Sequence, residues 1–243
     1  SFSYPNGEEA VLKNIDFSCH KGQKIAVIGS TGSGKSTLVK LMNRFYDVSR
    51  GSIEINGVDI RKYDLESLRA QIGYVAQKAH MFKGSIRSNI CFGKPEASDE
   101  EMHHAATVAQ ASDFISKREN GYLDEIAEDG TNISGGQKQR LSIARVILKK
   151  PSLYIYDDSF SALDFKTDAT LRKALKPEVK NAIFFVVAQR ISTIMDSDMI
   201  IVLDEGQIIG LGTHLELLKN CSVYQEIAHS QLTQKELDDY ERN

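Results

Sequence analysis

The sequence has no tryptophan, only four prolines and only three cysteines in 243 residues, and the shortages narrow what it can be. Cys19, Cys91 and Cys221 stand far apart and form no Cys-x-x-Cys pair, which argues against a disulfide framework or a zinc site and for a reducing compartment such as the cytosol. The histidines, His20, His80, His103, His104, His214 and His229, show no metal-ligand spacing. Basic charge is not in surplus: 30 Lys and Arg face 33 Asp and Glu, so neither nucleic acid nor an anionic membrane surface is favoured as a partner. Long apolar runs are missing as well. The longest, Ala182 to Ala188 (AIFFVVA), falls far short of the roughly 20 residues that cross a bilayer, and the first residues carry no secretory-signal pattern. No internal repeat or low-complexity segment stands out.

What is present suffices for a globular core: 41% of residues are hydrophobic and 26% charged, in a length that suits one large domain with a subdomain. The sequence starts at Ser1, without methionine and just before a strand-like stretch, so it is expected to be a domain of something longer. Strand-like and helical segments then alternate. KIAVIG (Lys24 to Gly29) reads as a short buried strand, and a glycine-rich turn leads from it into a helical pattern from Lys35 to about Phe45. Asn56-Gly57 between two alternating runs predicts a hairpin, because both residues tolerate positive φ. IGYVAQ (Ile72 to Gln77) is a further strand, after which Ser98 and Glu101 form a capping box and the pattern turns helical. Strands return at SLYIYDD, at IFFVVAQ and at MIIVLDEGQIIGLG, the last a hairpin, and Thr213 with Glu216 forms another candidate capping box.

The most specific chemistry is GSTGSGKS: Gly29, Ser30, Thr31, Gly32, Ser33, Gly34, Lys35 and Ser36, followed by Thr37. It fits the phosphate-loop pattern G-x-x-x-x-G-K-[ST] and stands where that pattern must, between a strand and a helix. Glycines let the loop curl so that successive N–H groups point inward, and the helix adds its positive end, so a polyphosphate is the natural guest. Lys35 would reach the β and γ phosphates, and the Ser36 hydroxyl would coordinate magnesium. The expected fold is therefore α/β, a P-loop NTPase core of mostly parallel sheet with an antiparallel β subdomain, plus an inserted helical subdomain. Residues 1–77 and 151–230 are expected to form the core, 78–150 the helical part, and 231–243 a polar tail. In such an ATPase a carboxylate ending a second core strand holds the metal, and Asp157 after LYIY suits that role, although an acid there could also be a turn or a helix cap.

Upstream lies NISGGQKQRLSIARVILKKP. Ser134 can cap a helix whose first turn is Gly135, Gly136 and Gln137, leaving bare N–H groups and a hydroxyl for a γ-phosphate, with Leu141, Ala144 and Leu148 as its buried stripe and Pro151 as its stop. An ordinary capped helix would look similar. Taken with the phosphate loop, the sequence resembles over almost its full length the nucleotide-binding domain of ATP-binding cassette (ABC) transporters, whose signature is LSGGQ, with Ile133 here in place of the leucine.

That resemblance implies ATP and Mg2+ as ligands, a place at the cytoplasmic face of a membrane, and contact with the membrane only through the transmembrane domains of the same transporter. Tyr4 looks like the aromatic that stacks on adenine, the lesser alternative being a core or strand-edge tyrosine. Gln77 in YVAQKAHMF looks like the Q-loop glutamine that touches magnesium, and Asp164 in SALD like the D-loop residue that crosses to the other subunit, while also able to cap the next helix. HMFKGSIRSNICFG and DEIAEDGTNISGGQ, with Glu128, resemble the exporter type.

Two positions depart from the family pattern. Where it expects a glutamate as general base this sequence has Asp158, one methylene shorter, and a displacement of about 1 Å can cost on the order of 10²-fold in rate. Where it expects a switch histidine stands Gln189, which can donate a hydrogen bond but cannot pass a proton. ABC domains work as head-to-tail pairs, so the expectation is a hydrolysis-impaired site in a chain that completes a competent site on a non-identical partner, as the degenerate half of a heterodimeric exporter. The alternatives are a regulatory ATP-binding module without turnover and a non-transport ABC ATPase. A chromosome-maintenance type would need a long heptad segment between Lys35 and Ser134, and that interval is too compact for one.

Overall fold

A computed structural model describes residues 1–5, 7 and 9–232. From the amino terminus come β1 (Lys24–Gly29), α1 (Lys35–Met42), β2 (Glu54–Ile55), β3 (Val58–Asp59), α2 (Leu65–Ala70) and β4 (Ile72–Val75). The middle of the chain holds β5 (Gly84–Ser85), α3 (Ile86–Ile90), α4 (Asp99–Val108), α5 (Ser112–Ile115), β6 (Glu125–Ile126) and α6 (Gly135–Lys149). It continues through β7 (Leu153–Asp157), α7 (Phe165–Glu178), β8 (Ile183–Val187), α8 (Ile191–Ile194), β9 (Met199–Asp204), β10 (Gln207–Gly212), α9 (His214–Asn220) and α10 (Ser222–Gln231). The expected polar tail lies, from residue 233 on, outside the described residues; Gln231 ends α10.

The chain forms two compact units, one made of Ser1–Gln71 with the chain from Ile183 on, the other of Ile72–Ala182. In the first, β1 is flanked by two parallel neighbours, β8 with Lys24 opposite Phe184 and β9 with Ile25 opposite Met199. β1 is apolar throughout its middle because both faces are covered: Ile25, Ala26, Val27 and Ile28 are all buried. β10 returns antiparallel beside β9, with a register shift between Ile208 and Gly210. The hairpin predicted at Asn56-Gly57 is present. Both residues have positive φ, 53° and 74°, as a two-residue primed turn requires, and Ile55 pairs with Val58.

In the second unit β4 and β7 pair in parallel, Ile72 opposite Leu153 through Val75 opposite Tyr156. Gly73 on β4 permits the approach of α6, since a Cβ there would lie 2.5 Å from Val146 Cγ1 and 2.6 Å from Pro151 Cγ. Helices α3, α4, α5, α6 and α7 carry the rest. The capping box is closed at Ser98, whose Oγ accepts from Glu101 N at 3.2 Å while Glu101 Oε2 accepts from Ser98 N at 3.3 Å.

Two expectations need correction. α1 ends at Met42 rather than near Phe45, because Arg44 takes a left-handed backbone (φ 49°) while its guanidinium donates to the carbonyls of Ile60 and Tyr63 at 3.1 and 2.8 Å. The segment expected to be helical from 78 to 150 also holds a short antiparallel ladder, Gly84 opposite Ile126 and Ser85 opposite Glu125.

Candidate functional site

In the first unit the loop from Gly29 to Ser36 joins β1 to α1. Gly29 has φ 157°, and a Cβ on it would lie 2.0 Å from the Leu203 carbonyl oxygen of β9, so the turn out of the strand admits no side chain. Gly34 is left-handed at φ 104° and its missing Cβ would meet Leu12 Cδ2 at 2.5 Å. The Lys35 ammonium curls back over the loop, donating to the carbonyls of Gly29 and Ser30 at 2.9 and 2.7 Å and to Ser33 Oγ at 3.4 Å. α1 has no acidic residue in its first turn, so its amino-terminal N–H groups present an undiluted positive end. Ser30, Thr31, Gly32 and Ser36 are exposed, whereas Ser33 and Thr37 are buried.

Tyr4 reaches this loop from the amino-terminal segment, with its hydroxyl 3.1 Å from Thr37 Oγ1. Its ring stands edge-on to Phe2 at 4.9 Å and to Tyr46 at 5.2 Å, so three aromatic rings form one cluster. Gln189 follows β8 in the same unit, just before α8, and is exposed.

The second unit carries the acids. Asp157 ends β7 and is 6% exposed; its Oδ2 accepts a hydrogen bond from Tyr74 Oη at 3.3 Å. Burial, and then the Asp157 carboxylate, push the Tyr74 phenol up to about 12. Asp158 is 8% exposed and left-handed at φ 48°. Its Oδ2 accepts from Gln77 Nε2 at 3.1 Å, and its carbonyl accepts from Ser161 Oγ at 2.7 Å. Gln139 of α6, 1% exposed, donates to the Ala76 carbonyl at 3.2 Å and so ties the segment before Gln77 to the long helix. Tyr74 and Gln139 are the residues that motif reading missed; both stand inside segments quoted for other residues, and only the parallel register of β4 on β7 and the packing of α6 bring them in.

At the head of α6, Ser134 Oγ accepts from Gln137 N at 3.3 Å and Gln137 Oε1 accepts from Ser134 N at 3.0 Å, a closed capping box. The two glycines between them differ. A Cβ on Gly136 would meet the Ala162 carbonyl at 3.3 Å, whereas one on Gly135 would meet nothing within 4 Å among the described residues. Packing within the chain therefore accounts for glycine at 136 and not at 135. Asp164 caps α7, accepting from Thr167 N at 2.9 Å and Thr167 Oγ1 at 2.7 Å, and these bonds hold its carboxyl below the usual range.

Fold and loop together define the class: an α/β protein with a phosphate-loop NTPase core, its lysine and hydroxyls gathered at the start of α1. A family model described as ABC transporter matches residues 12–161. A Bacillus subtilis ATP-binding/permease protein, whose name provisionally assigns it to multidrug export, is 44% identical over 227 residues, covering 93% of this chain and 39% of that protein. Heavy metal tolerance factor 1 of Caenorhabditis elegans is 43% identical over 235 residues, 97% of this chain and 29% of that one. A solved structure of a bacterial Atm1-family ABC exporter with ATP bound matches with a TM-score of 0.92 at 37% identity, over 96% of this chain and 41% of that one. The chain belongs to the ABC transporter family, as its ATP-binding part, and spans about two fifths or less of the length of these relatives.

Proposed function

We propose that this chain binds Mg-ATP as the nucleotide-binding domain of an exporter-type transporter, pairs head-to-tail with a non-identical partner domain, and hydrolyses ATP poorly at its own phosphate loop. In this reading residues 1–230 are one ABC ATPase domain, with 78–150 the signature-bearing helical part. The amides of Gly29 to Ser36 and the Lys35 ammonium hold the phosphates, Thr37 adds a hydroxyl, and Tyr4 stacks on the base. Ser36, Asp157 and Gln77 are the residues that would hold magnesium. A hydroxyl, a carboxylate and an amide oxygen are all hard oxygen donors, and the pairing of Gln77 Nε2 with Asp158 leaves Oε1 as its acceptor end, so the set suits an ion that takes its remaining ligands from water and phosphate. When bound, that ion neutralises charge on the phosphates.

The observation that carries the reading of weak turnover is Asp158. Its side chain is one methylene shorter than the glutamate the family pattern expects, it is buried, and its Oδ2 already accepts the Gln77 amide. A base drawn back by about 1 Å loses on the order of 10²-fold in rate. Gln189 can donate to a γ-phosphate but cannot carry a proton. The signature, Ser134 to Gln137, is intact apart from Ile133 before it, and the open space around Gly135 leaves room for a phosphate from a neighbouring chain. Asp164 stands in the loop that would face that neighbour. Transmembrane domains of the same transporter supply the contact with the membrane, at its cytoplasmic face, and nucleic acid has no part.

The test is the affinity and turnover of the purified chain with Mg-ATP. Binding with very slow turnover is expected, and Asp158→Glu combined with Gln189→His should raise turnover by at least about tenfold. Rapid hydrolysis by the unaltered chain would overturn the impaired-site reading. Single-turnover hydrolysis that stays absent even with a competent partner domain would favour a regulatory ATP-binding module instead.

A further inference from the structure

The last residue of α10 holds the backbone on which Gln189 stands. Ile191 is the first residue of α8, a four-residue helix, so its N–H has no partner within the helix, and the preceding Arg190 makes no side-chain cap. Gln231 supplies one from forty residues further along the chain: its Oε1 accepts from Ile191 N at 2.9 Å. The other end of the same amide, Nε2, donates to the Gln189 carbonyl at 2.8 Å. One side chain thus bridges the two peptides that flank Arg190, as a neighbouring strand would.

The helix that presents this amide is itself anchored. Tyr224, Ala228 and Gln231 fall at i, i+4 and i+7, on one face of α10, and Tyr224 and Ala228 are fully buried. Tyr224 Oη lies 2.7 Å from His214 Nδ1 at the start of α9, and α9 is fixed by the capping box of Thr213 and Glu216. Gln231 is exposed, so water could satisfy its amide and the bridge adds little net stability. Its effect is geometric.

We propose that Gln231 is a positioning residue. By pinning the Gln189 carbonyl and the Ile191 amide it fixes the backbone angles of Arg190 and sets the direction from which the Gln189 side chain meets a terminal phosphate. The inference rests on the reading of Gln189 as the group that senses that phosphate. It makes α10 part of how the domain tells ATP from ADP.

Three measurements on the purified chain test it: the ATP and ADP dissociation constants, the hydrogen-exchange rate of the Ile191 amide, and the thermal midpoint. Gln231→Met removes donor and acceptor at similar length; Gln231→Glu keeps the acceptor for Ile191 and loses the donor to Gln189. In Gln231→Met, the preference for ATP over ADP should fall roughly fivefold and Ile191 exchange should speed up, with ADP affinity and the midpoint unchanged. Gln231→Glu should keep Ile191 protected and still lose part of the preference. Faster Ile191 exchange with an unaltered ATP preference in both variants would reduce Gln231 to a structural cap and overturn the proposal, as would no change in Ile191 exchange in Gln231→Met. If the unaltered chain binds ATP and ADP alike and Gln189→Ala behaves the same, the reading of Gln189 fails, and the inference falls with it.

Discussion

Gln77 Nε2 stands 3.1 Å from Asp158 Oδ2, which joins the segment after β4 to the residue after β7 across the carboxyl ends of two parallel strands. Ligands of open α/β sheets bind at such ends. The acid that accepts this bond is 8% exposed, so losing the donor is costly. Gln77→Leu should lower stability by about 1.5–3 kcal/mol, the range for a hydrogen bond to a charged group, as read from urea unfolding. Gln77→Glu should cost more, because it sets a second carboxylate against the first. An unchanged midpoint in both would show that the contact has no energetic weight.

Lys35 bridges Gly29, Ser30 and Ser33 within the loop. Removing its charge takes away the main cation offered to a phosphate. Lys35→Ala should weaken ATP binding on the order of 10- to 100-fold, with the far-ultraviolet circular dichroism unaltered. Equal ATP affinity in the variant would sink the assignment of this loop to phosphate.

Two glycines should answer oppositely to alanine. At Gly29 a Cβ would press on the Leu203 carbonyl at 2.0 Å, so Gly29→Ala should destabilise by more than about 3 kcal/mol. At Gly135 a Cβ meets nothing within 4 Å among the described residues, so Gly135→Ala should leave stability within about 0.5 kcal/mol while lowering ATP turnover at the site proposed to be shared with a partner domain. Thermal melts measure the first effect. Hydrolysis by the reconstituted pair measures the second, and full activity there would remove the case for a role beyond packing.

Tyr74 gives stability an alkaline edge. Below pH 10 its phenol is protonated in folded and unfolded chains alike; between 10 and about 12 only the unfolded chain has lost the proton, so stability falls as pH rises through that window. Tyr154 is raised to about 12 as well, chiefly by burial, and contributes in the same sense. Tyr74→Phe should therefore flatten the loss by up to one proton, about 1.4 kcal/mol per pH unit, without abolishing it. Urea unfolding at pH 9 to 12 checks this; parallel slopes for both chains would contradict it.

Local chemistry made much of the fold legible. Asn56-Gly57 announces its hairpin through positive φ alone, and Ser98, Ser134 and Thr213 each find the partner three residues on that a capping box requires. The phosphate loop declares itself in eight residues. What stayed hidden depends on distant contacts. Arg44 ends α1 by donating to carbonyls at 60 and 63, Gly84 pairs with Ile126, Tyr74 meets Asp157 only through strand register, and Gln231 reaches back to Gln189. No periodicity encodes such pairs.

The place of β1 between β8 and β9 bears on how the protein is made. Lys24 is made about 160 residues before its partner Phe184, a delay on the order of ten seconds at about 5–20 residues per second. Until then the strand that feeds the glycine turn has neither flank, and a row of valine and isoleucine waits uncovered. Chaperone dependence during synthesis, and slow refolding from denaturant, follow from that topology.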